Sequence, residues 1–94
     1  MVTMLERVQA MIRGEAPDPP VAGLIGFRLV AVAPGSAVFE MEAGPQHANP
    51  MGTLHGGILC DLADAAMGIA YASTLEEGES FTTLELKINF LKPV

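Results

Sequence analysis

The stretch NPMGTLHGGILCDLADAAMG, residues 49–68, decides the fold. Its first part belongs to a loop, because glycines and prolines interrupt residues 44–57. Its second part opens an apolar run, ILCDLADAAMGIAYASTL, over residues 58–75. A helix drawn from this run carries apolar residues on every side, which predicts burial all round. At roughly 1.5 Å per residue, the helix is about 27 Å long and crosses a small domain.

Two strand-like runs precede this helix. They are FRLVAVA and AVFEMEA, residues 27–33 and 37–43, separated by PGS. The Pro34-Gly35 pair suits a turn with a positive φ at its second central residue, so the sequence predicts a β-hairpin. In the second run apolar and acidic residues alternate, and we expect one face to be buried.

Residues outside the hairpin and the helix predict three further segments. An amphipathic helix is expected within residues 1–14, and the prolines between residues 14 and 23 indicate an extended connection. FTTLELKINFL, residues 81–91, alternates again and predicts a third strand. Its apolar face is expected to carry Leu84, Leu86, Ile88 and Phe90, and its polar face Thr83, Glu85, Lys87 and Asn89.

These elements describe one α+β domain over residues 1–94. Three strands are too few to cover an apolar helix, since a sheet that wraps it needs roughly five strands at about 4.8 Å spacing. We therefore expect strands to be missing or to come from a partner chain. The composition agrees, because 50% of the residues are hydrophobic and only 17% are charged. A second buried surface, as in an oligomer, accounts for this excess.

Charge and composition exclude several classes of function. The net charge is −6, with 11 acidic and 5 basic residues and no basic cluster, which argues against a nucleic-acid partner. No apolar run approaches the roughly 20 residues that cross a bilayer. The first 14 residues lack the apolar core of a signal peptide, so we expect a cytoplasmic protein without a membrane partner. Two histidines and Cys60 do not have metal-ligand spacing, and no metal or cofactor is predicted.

The start of the long helix is the candidate site. Gly56 and Gly57 let a ligand approach the first N–H groups of the helix, which are unpaired donors and suit a polarised carbonyl oxygen. Asp64 follows about two turns later, and a carboxylate on an apolar helix is costly to bury without partners. It is either a general base or nucleophile in a cleft, or a structural acid bonded to the loop. Asp61 gains from the helix dipole and needs no further role.

The loop and helix motif resembles the hotdog-fold acyl-CoA thioesterases, in the branch typified by the phenylacetic-acid-degradation thioesterase PaaI. The resembling residues are N-x-x-G-x-x-H-G-G, an aspartate nine residues after the histidine, and TTLELKINFLKPV, within residues 20–94. The resemblance implies a long central helix wrapped by a curved antiparallel sheet. It also implies homodimers with active sites at the interface, pairing into homotetramers, and two further strands after FLKPV. By this comparison the chain is truncated after its third strand.

The resemblance assigns catalytic roles to five residues. Asp64 activates water or attacks the thioester carbonyl, and the backbone N–H of Gly56 polarises that carbonyl. His55 and Asn49 help to position the thioester and the water. Thr83, offered from the neighbouring subunit, helps to orient the water, although alternation puts it on the polar face of its strand.

We expect hydrolysis of an aryl- or medium-chain acyl-CoA, with Gly57, Met51 and Met67 contacting the substrate. The alternative is a catalytically idle hotdog domain that binds acyl-CoA or only oligomerises. Hydration of an enoyl-CoA is disfavoured, because the long helix carries no histidine.

Overall fold

A two-stranded sheet and a long helix form the body of the chain, in a computed structural model that describes residues 2–94. The sheet pairs β1 (Phe27–Ala33) with β2 (Ser36–Met41), and the long helix is α3 (Gly56–Ala72). Helices α1 (Met4–Ile12) and α2 (Pro20–Ile25) precede the sheet. Helix α1 packs on β1 and α3, and α3 packs on both strands.

The predicted hairpin is confirmed. Strands β1 and β2 are antiparallel, and Gly35 in the connecting turn has a φ of +81°. The buried Ser73 fastens this turn to the C-terminal end of α3, since its hydroxyl accepts a hydrogen bond from the Gly35 N–H at 2.8 Å and donates to the Ala70 carbonyl at 2.7 Å. The hairpin and the long helix are thereby held in a fixed relation.

The N-terminal helix is confirmed with a defined start. The Thr3 hydroxyl accepts from the Glu6 N–H, and the Glu6 carboxylate accepts from the Thr3 N–H, which is a reciprocal capping box. The Thr3 backbone N–H, and then its hydroxyl, lowers the pKa of Glu6 by hydrogen bonding to the charged form. Helix α1 therefore has a fixed register at its first turn.

The extended connection predicted for residues 14–23 is wrong in its last part, which forms α2. Pro20 occupies the first turn of this helix, where its missing N–H costs nothing. Gly26, with a φ of +94°, ends it in the left-handed region. Prolines that indicated an extended chain thus start a helix instead.

Helix α3 occupies the predicted position but is not buried all round. Most of its residues are half-buried, Ala72 is buried, and Met67 is 55% exposed. The helix stays partly exposed because only β1 and β2 pack against it as a sheet, and they cover one side. Among residues 2–94 no other strand covers the remaining surface of the helix.

The predicted third strand is also corrected. Residues 81–94 run back along α3, with Phe81 beside Gly68 and Phe90 beside Gly56, and form no strand ladder within residues 2–94. A strand requires a hydrogen-bonded neighbour, and none adjoins this segment in the described part of the chain. Its far end is held where the Val94 carbonyl oxygen accepts from the Leu54 N–H at 2.9 Å.

The alternation within this segment changes face. Thr83 points its hydroxyl at α3, whereas Leu84 is 94% exposed, contrary to its expected burial. Further along, Leu86 and Ile88 are half-buried. An irregularity between Thr83 and Leu86 therefore exchanges the two faces, which brings a residue of the predicted polar face to the helix.

Across residues 2–94, every helix falls short of the length and apolarity that crossing a bilayer requires.

Candidate active site

The loop before α3 is built around Asn49. Its Oδ1 accepts from the N–H groups of Met51 and Thr53 at 3.0 and 3.1 Å, and its Nδ2 donates to the Thr53 hydroxyl at 2.7 Å. An asparagine side chain readily closes such a local turn. Asn49 thus shapes the loop that leads into the helix, and its predicted contact with substrate stays a prediction.

A second anchor of this loop, His47, was missed by sequence reasoning. The side chain is 4% exposed; its Nδ1 accepts from the Gly44 N–H at 3.0 Å, and its Nε2 donates to the Ile25 carbonyl at 2.6 Å. Its carbonyl oxygen accepts from the His55 N–H at 2.8 Å. His47 therefore ties α2 to the residue that precedes α3, a role that a single loop histidine does not reveal in the sequence.

His55 is the N-cap of α3. Its Nδ1 accepts a hydrogen bond from the Gly57 N–H at 2.9 Å, so the neutral imidazole carries its proton on Nε2, which can donate outward. The N–H of Gly56 makes no hydrogen bond with any residue from 2 to 94. One of the two predicted glycine donors is thus used by the cap, and the Gly56 donor remains available.

The Phe90 ring packs against Gly56. A Cβ added to Gly56 would lie 2.9 Å from Phe90 Cζ, closer than van der Waals contact permits. A larger residue at this position would therefore make the Phe90 ring or the start of α3 shift. Phe90 appeared in the sequence only as an apolar strand residue.

Asp64 and Thr83 form the polar centre of the candidate site. The Thr83 hydroxyl donates to Asp64 Oδ1 at 2.7 Å, which leaves the second carboxylate oxygen available as an acceptor. This bond joins two residues of one chain, so the expectation that Thr83 comes from a neighbouring subunit is not needed to bring it to the acid. The change of face after Thr83 is what makes the bond possible.

The segment that carries Thr83 is fixed by an aromatic contact. The Phe81 ring lies edge-on to Tyr71, with centroids 5.7 Å apart, and a Cβ on Gly68 would lie 3.2 Å from Phe81 Cζ. Gly68 thus lets the ring of Phe81 lie close to the helix. Because Phe81 precedes Thr83 by two residues, this contact also holds Thr83 near α3. The spacing of Gly68, one turn after Asp64, was the only signal of this arrangement in the sequence.

Asp64 is distant from the start of its own helix. Eight residues separate Gly56 from Asp64, so the two lie about 12 Å apart along α3 and about 80° apart around it. A base acting directly or through one water on a carbonyl held by the Gly56 N–H must lie within about 7 Å of that donor. The two predicted groups of one chain are too far apart to act on one carbonyl.

An apolar cavity of about 340 Å³ opens beside Asp64 and Thr83. Its walls come from all three helices, from both strands, and from the segments before α2 and after α3, and most of them are hydrocarbon. Met51 and Met67 are not among the lining residues; they are 78% and 55% exposed. Their predicted substrate contacts, and that of Gly57, stay predictions.

Known proteins resemble this chain along most of its length. The model of the thioesterase superfamily matches residues 51–94. Human acyl-coenzyme A thioesterase 13 is 29% identical over 99% of this chain and 66% of its own length. The 1,4-dihydroxy-2-naphthoyl-CoA hydrolase of Listeria monocytogenes is 37% identical over 71% of this chain and 54% of its own length. The chain thus spans about two thirds or less of these relatives.

A solved structure extends the comparison to the fold. The phenylacetic acid degradation-related protein of Ralstonia eutropha JMP134 is 39% identical, with a TM-score of 0.79 over 92% of this chain and 67% of that one. The likeness confirms the predicted α+β hotdog fold, with its antiparallel strands against a long helix. The chain belongs to the thioesterase superfamily.

Proposed function

We propose that this chain hydrolyses an aryl- or medium-chain acyl-CoA thioester to a free acid and CoA. The observation that carries the proposal is the hydrogen bond between Thr83 and Asp64 at the wall of an apolar cavity. A carboxylate held by a hydroxyl beside a hydrocarbon pocket suits an ester whose acyl group enters the pocket and whose carbonyl stops at the acid. The relatives named thioesterase and CoA hydrolase support the same reaction.

In the proposed reaction Asp64 acts as base or as nucleophile. As a base, its free oxygen takes a proton from water while the water oxygen bonds to the thioester carbon. The carbon–sulfur bond then breaks, and CoA leaves as a thiolate that takes up a proton. As a nucleophile, the same oxygen bonds to the carbonyl carbon, the carbon–sulfur bond breaks and CoA leaves as a thiolate that takes up a proton. Water then cleaves the resulting anhydride to the free acid and restores the Asp64 carboxylate.

We propose that each site is shared by two copies of the chain. The Gly56 N–H, a free donor at the positive end of a 17-residue helix, stabilises the developing oxyanion in this scheme. Because it lies about 12 Å along α3 from its own Asp64, it serves the acid of the partner copy. A homodimer is the smallest assembly that satisfies this geometry, and pairing of dimers into a homotetramer remains part of the proposal.

Release of CoA thiol from phenylacetyl-CoA and octanoyl-CoA by the full chain tests the function. Sustained release over many turnovers is expected. Stabilisation of the protein by either ester without thiol release would contradict hydrolysis and support the alternative, a hotdog domain that binds acyl-CoA without turning it over.

Replacing Thr83 with valine is expected to lower kcat by about 10- to 100-fold, the equivalent of the roughly 1.5–3 kcal/mol that a hydrogen bond to a charged group contributes. Valine keeps the shape of threonine but cannot donate to Asp64. Steady-state hydrolysis measures the effect. Thr83→Ser is the matched control and is expected to retain most of the activity, because it keeps the hydroxyl. Equal loss in both variants would mean that packing, and not the hydrogen bond, is what matters.

A further inference from the structure

The cavity beside Asp64 has one wall that is structurally separate from the rest of the site. Helix α1 supplies Val8 and Met11, which lie three residues apart and so share a face of the helix. Val8 is 1% exposed and fixes the helix against the body, whereas Met11 is half-buried. Val8 thus holds the wall in place, and the Met11 side chain can adapt its position.

Helix α3 lines the same cavity from the acid onward. Asp64, Gly68 and Ile69 line it from α3, so the lining extends about 7 Å along the helix beyond the carboxylate. Phe27, from β1, is 5% exposed and completes a hydrocarbon surface. A chain that enters at Asp64 therefore runs along α3 between the sheet and α1.

The size of the cavity limits what it holds. The volume of about 340 Å³ lies at the lower end of the roughly 300–1,000 Å³ typical of small-molecule pockets. This matches a medium-length alkyl chain or a single ring with a short linker. A methionine at the wall is suited to adjust to either, since its thioether side chain is flexible and polarisable.

We propose that α1 acts as a length gauge for the acyl pocket, which means that Met11 on this helix sets the longest acyl group the site accepts. The inference rests on the proposed function, since it identifies the cavity beside Asp64 as the acyl site. The ligand class is the medium-chain or monocyclic aryl acyl group of a CoA thioester.

Binding of S-alkyl-CoA thioethers to the full chain tests the gauge without depending on turnover, because a thioether cannot be hydrolysed. Calorimetry with alkyl groups of increasing length is expected to show about a fourfold gain in affinity per methylene until the pocket is full. Met11→Ala enlarges the pocket and is expected to move this limit to alkyl chains longer by about two or three carbons. Met11→Phe fills the pocket and is expected to move the limit to shorter chains.

Arg7→Ala is the matched control, since Arg7 lies on the exposed face of the same helix and does not line the cavity. Its length limit is expected to equal that of the unaltered chain. An unmoved limit in both Met11 variants, or no binding of any thioether, would overturn the inference. Length-dependent binding that shifts with Met11, in a chain that releases no CoA from thioesters, would leave the gauge standing and refute hydrolysis.

Discussion

Replacing Asp64 with asparagine is expected to lower kcat by about 10²- to 10⁴-fold, the range that a positioned acid–base group contributes. Asparagine has the shape of aspartate, and its side-chain carbonyl can still accept the hydrogen bond that Thr83 donates to Oδ1. The lost property is the ability to take a proton or to attack a carbonyl. Steady-state release of CoA thiol measures the effect, with circular dichroism and thermal unfolding to show that the fold is kept.

Asp61→Asn is the matched control for this substitution. Asp61 lies one turn before Asp64 on the same half-buried helix and makes no side-chain hydrogen bond with residues 2–94. We expect nearly full activity from this variant. Equal activity in the Asp64 and Asp61 variants would show that Asp64 is a structural acid, the alternative that the sequence leaves open.

The second large effect is expected from Gly56→Ala, which should lower kcat by about 10²- to 10³-fold, the loss seen when one oxyanion donor is removed. The backbone N–H is retained, but the new Cβ would lie 2.9 Å from Phe90 Cζ. Either the ring or the first turn of α3 must move. A donor displaced by even about 1 Å no longer reaches the oxyanion.

Gly23→Ala in α2 is the control for added bulk, because a Cβ there meets nothing within 4 Å and the residue does not line the cavity. Its activity is expected to be unchanged, and its stability equal or slightly higher, since alanine favours a helix more than glycine does. Full activity in Gly56→Ala would contradict the expected displacement of the donor. Its thermal unfolding separates a displaced donor from general loss of structure.

The elements that were predictable from the sequence are those governed by local chemistry. The hairpin follows from alternation around Pro34-Gly35, and Gly35 has the required positive φ. Helix α3 follows from its apolar run, and α1 from its stripe of apolar residues. The start of α1 follows from the capping-box pattern of Thr3 and Glu6. Such features depend on a few neighbouring residues, so the sequence is sufficient to locate them.

The features that could not be predicted depend on contacts between distant residues. The segment at 81–91 has a strand pattern, yet a strand exists only where another adjoins it. The bond between Thr83 and Asp64 requires an exchange of faces that alternation alone does not reveal. The role of His47 requires that Ile25 lie next to it, which only the folded chain shows.

The distance between Asp64 and the oxyanion donor at the start of its own helix follows from the sequence spacing alone. A separation of eight residues already implies about 12 Å in an α-helix, which is too far for shared action on one carbonyl. The spacing is therefore itself an argument for a site formed by two copies.

Mixing the Asp64→Asn and Gly56→Ala chains tests the shared site most directly. The two variants are coexpressed with distinct tags, and thiol release is compared with that of each variant alone. In a site shared by two copies, a mixed dimer has one site with both substitutions and one with neither. Random pairing makes about half of the dimers mixed, so about a quarter of the unaltered activity is expected to return. Activity that stays at the level of the separate variants would contradict the account, because every site of a one-chain enzyme would keep its own defect.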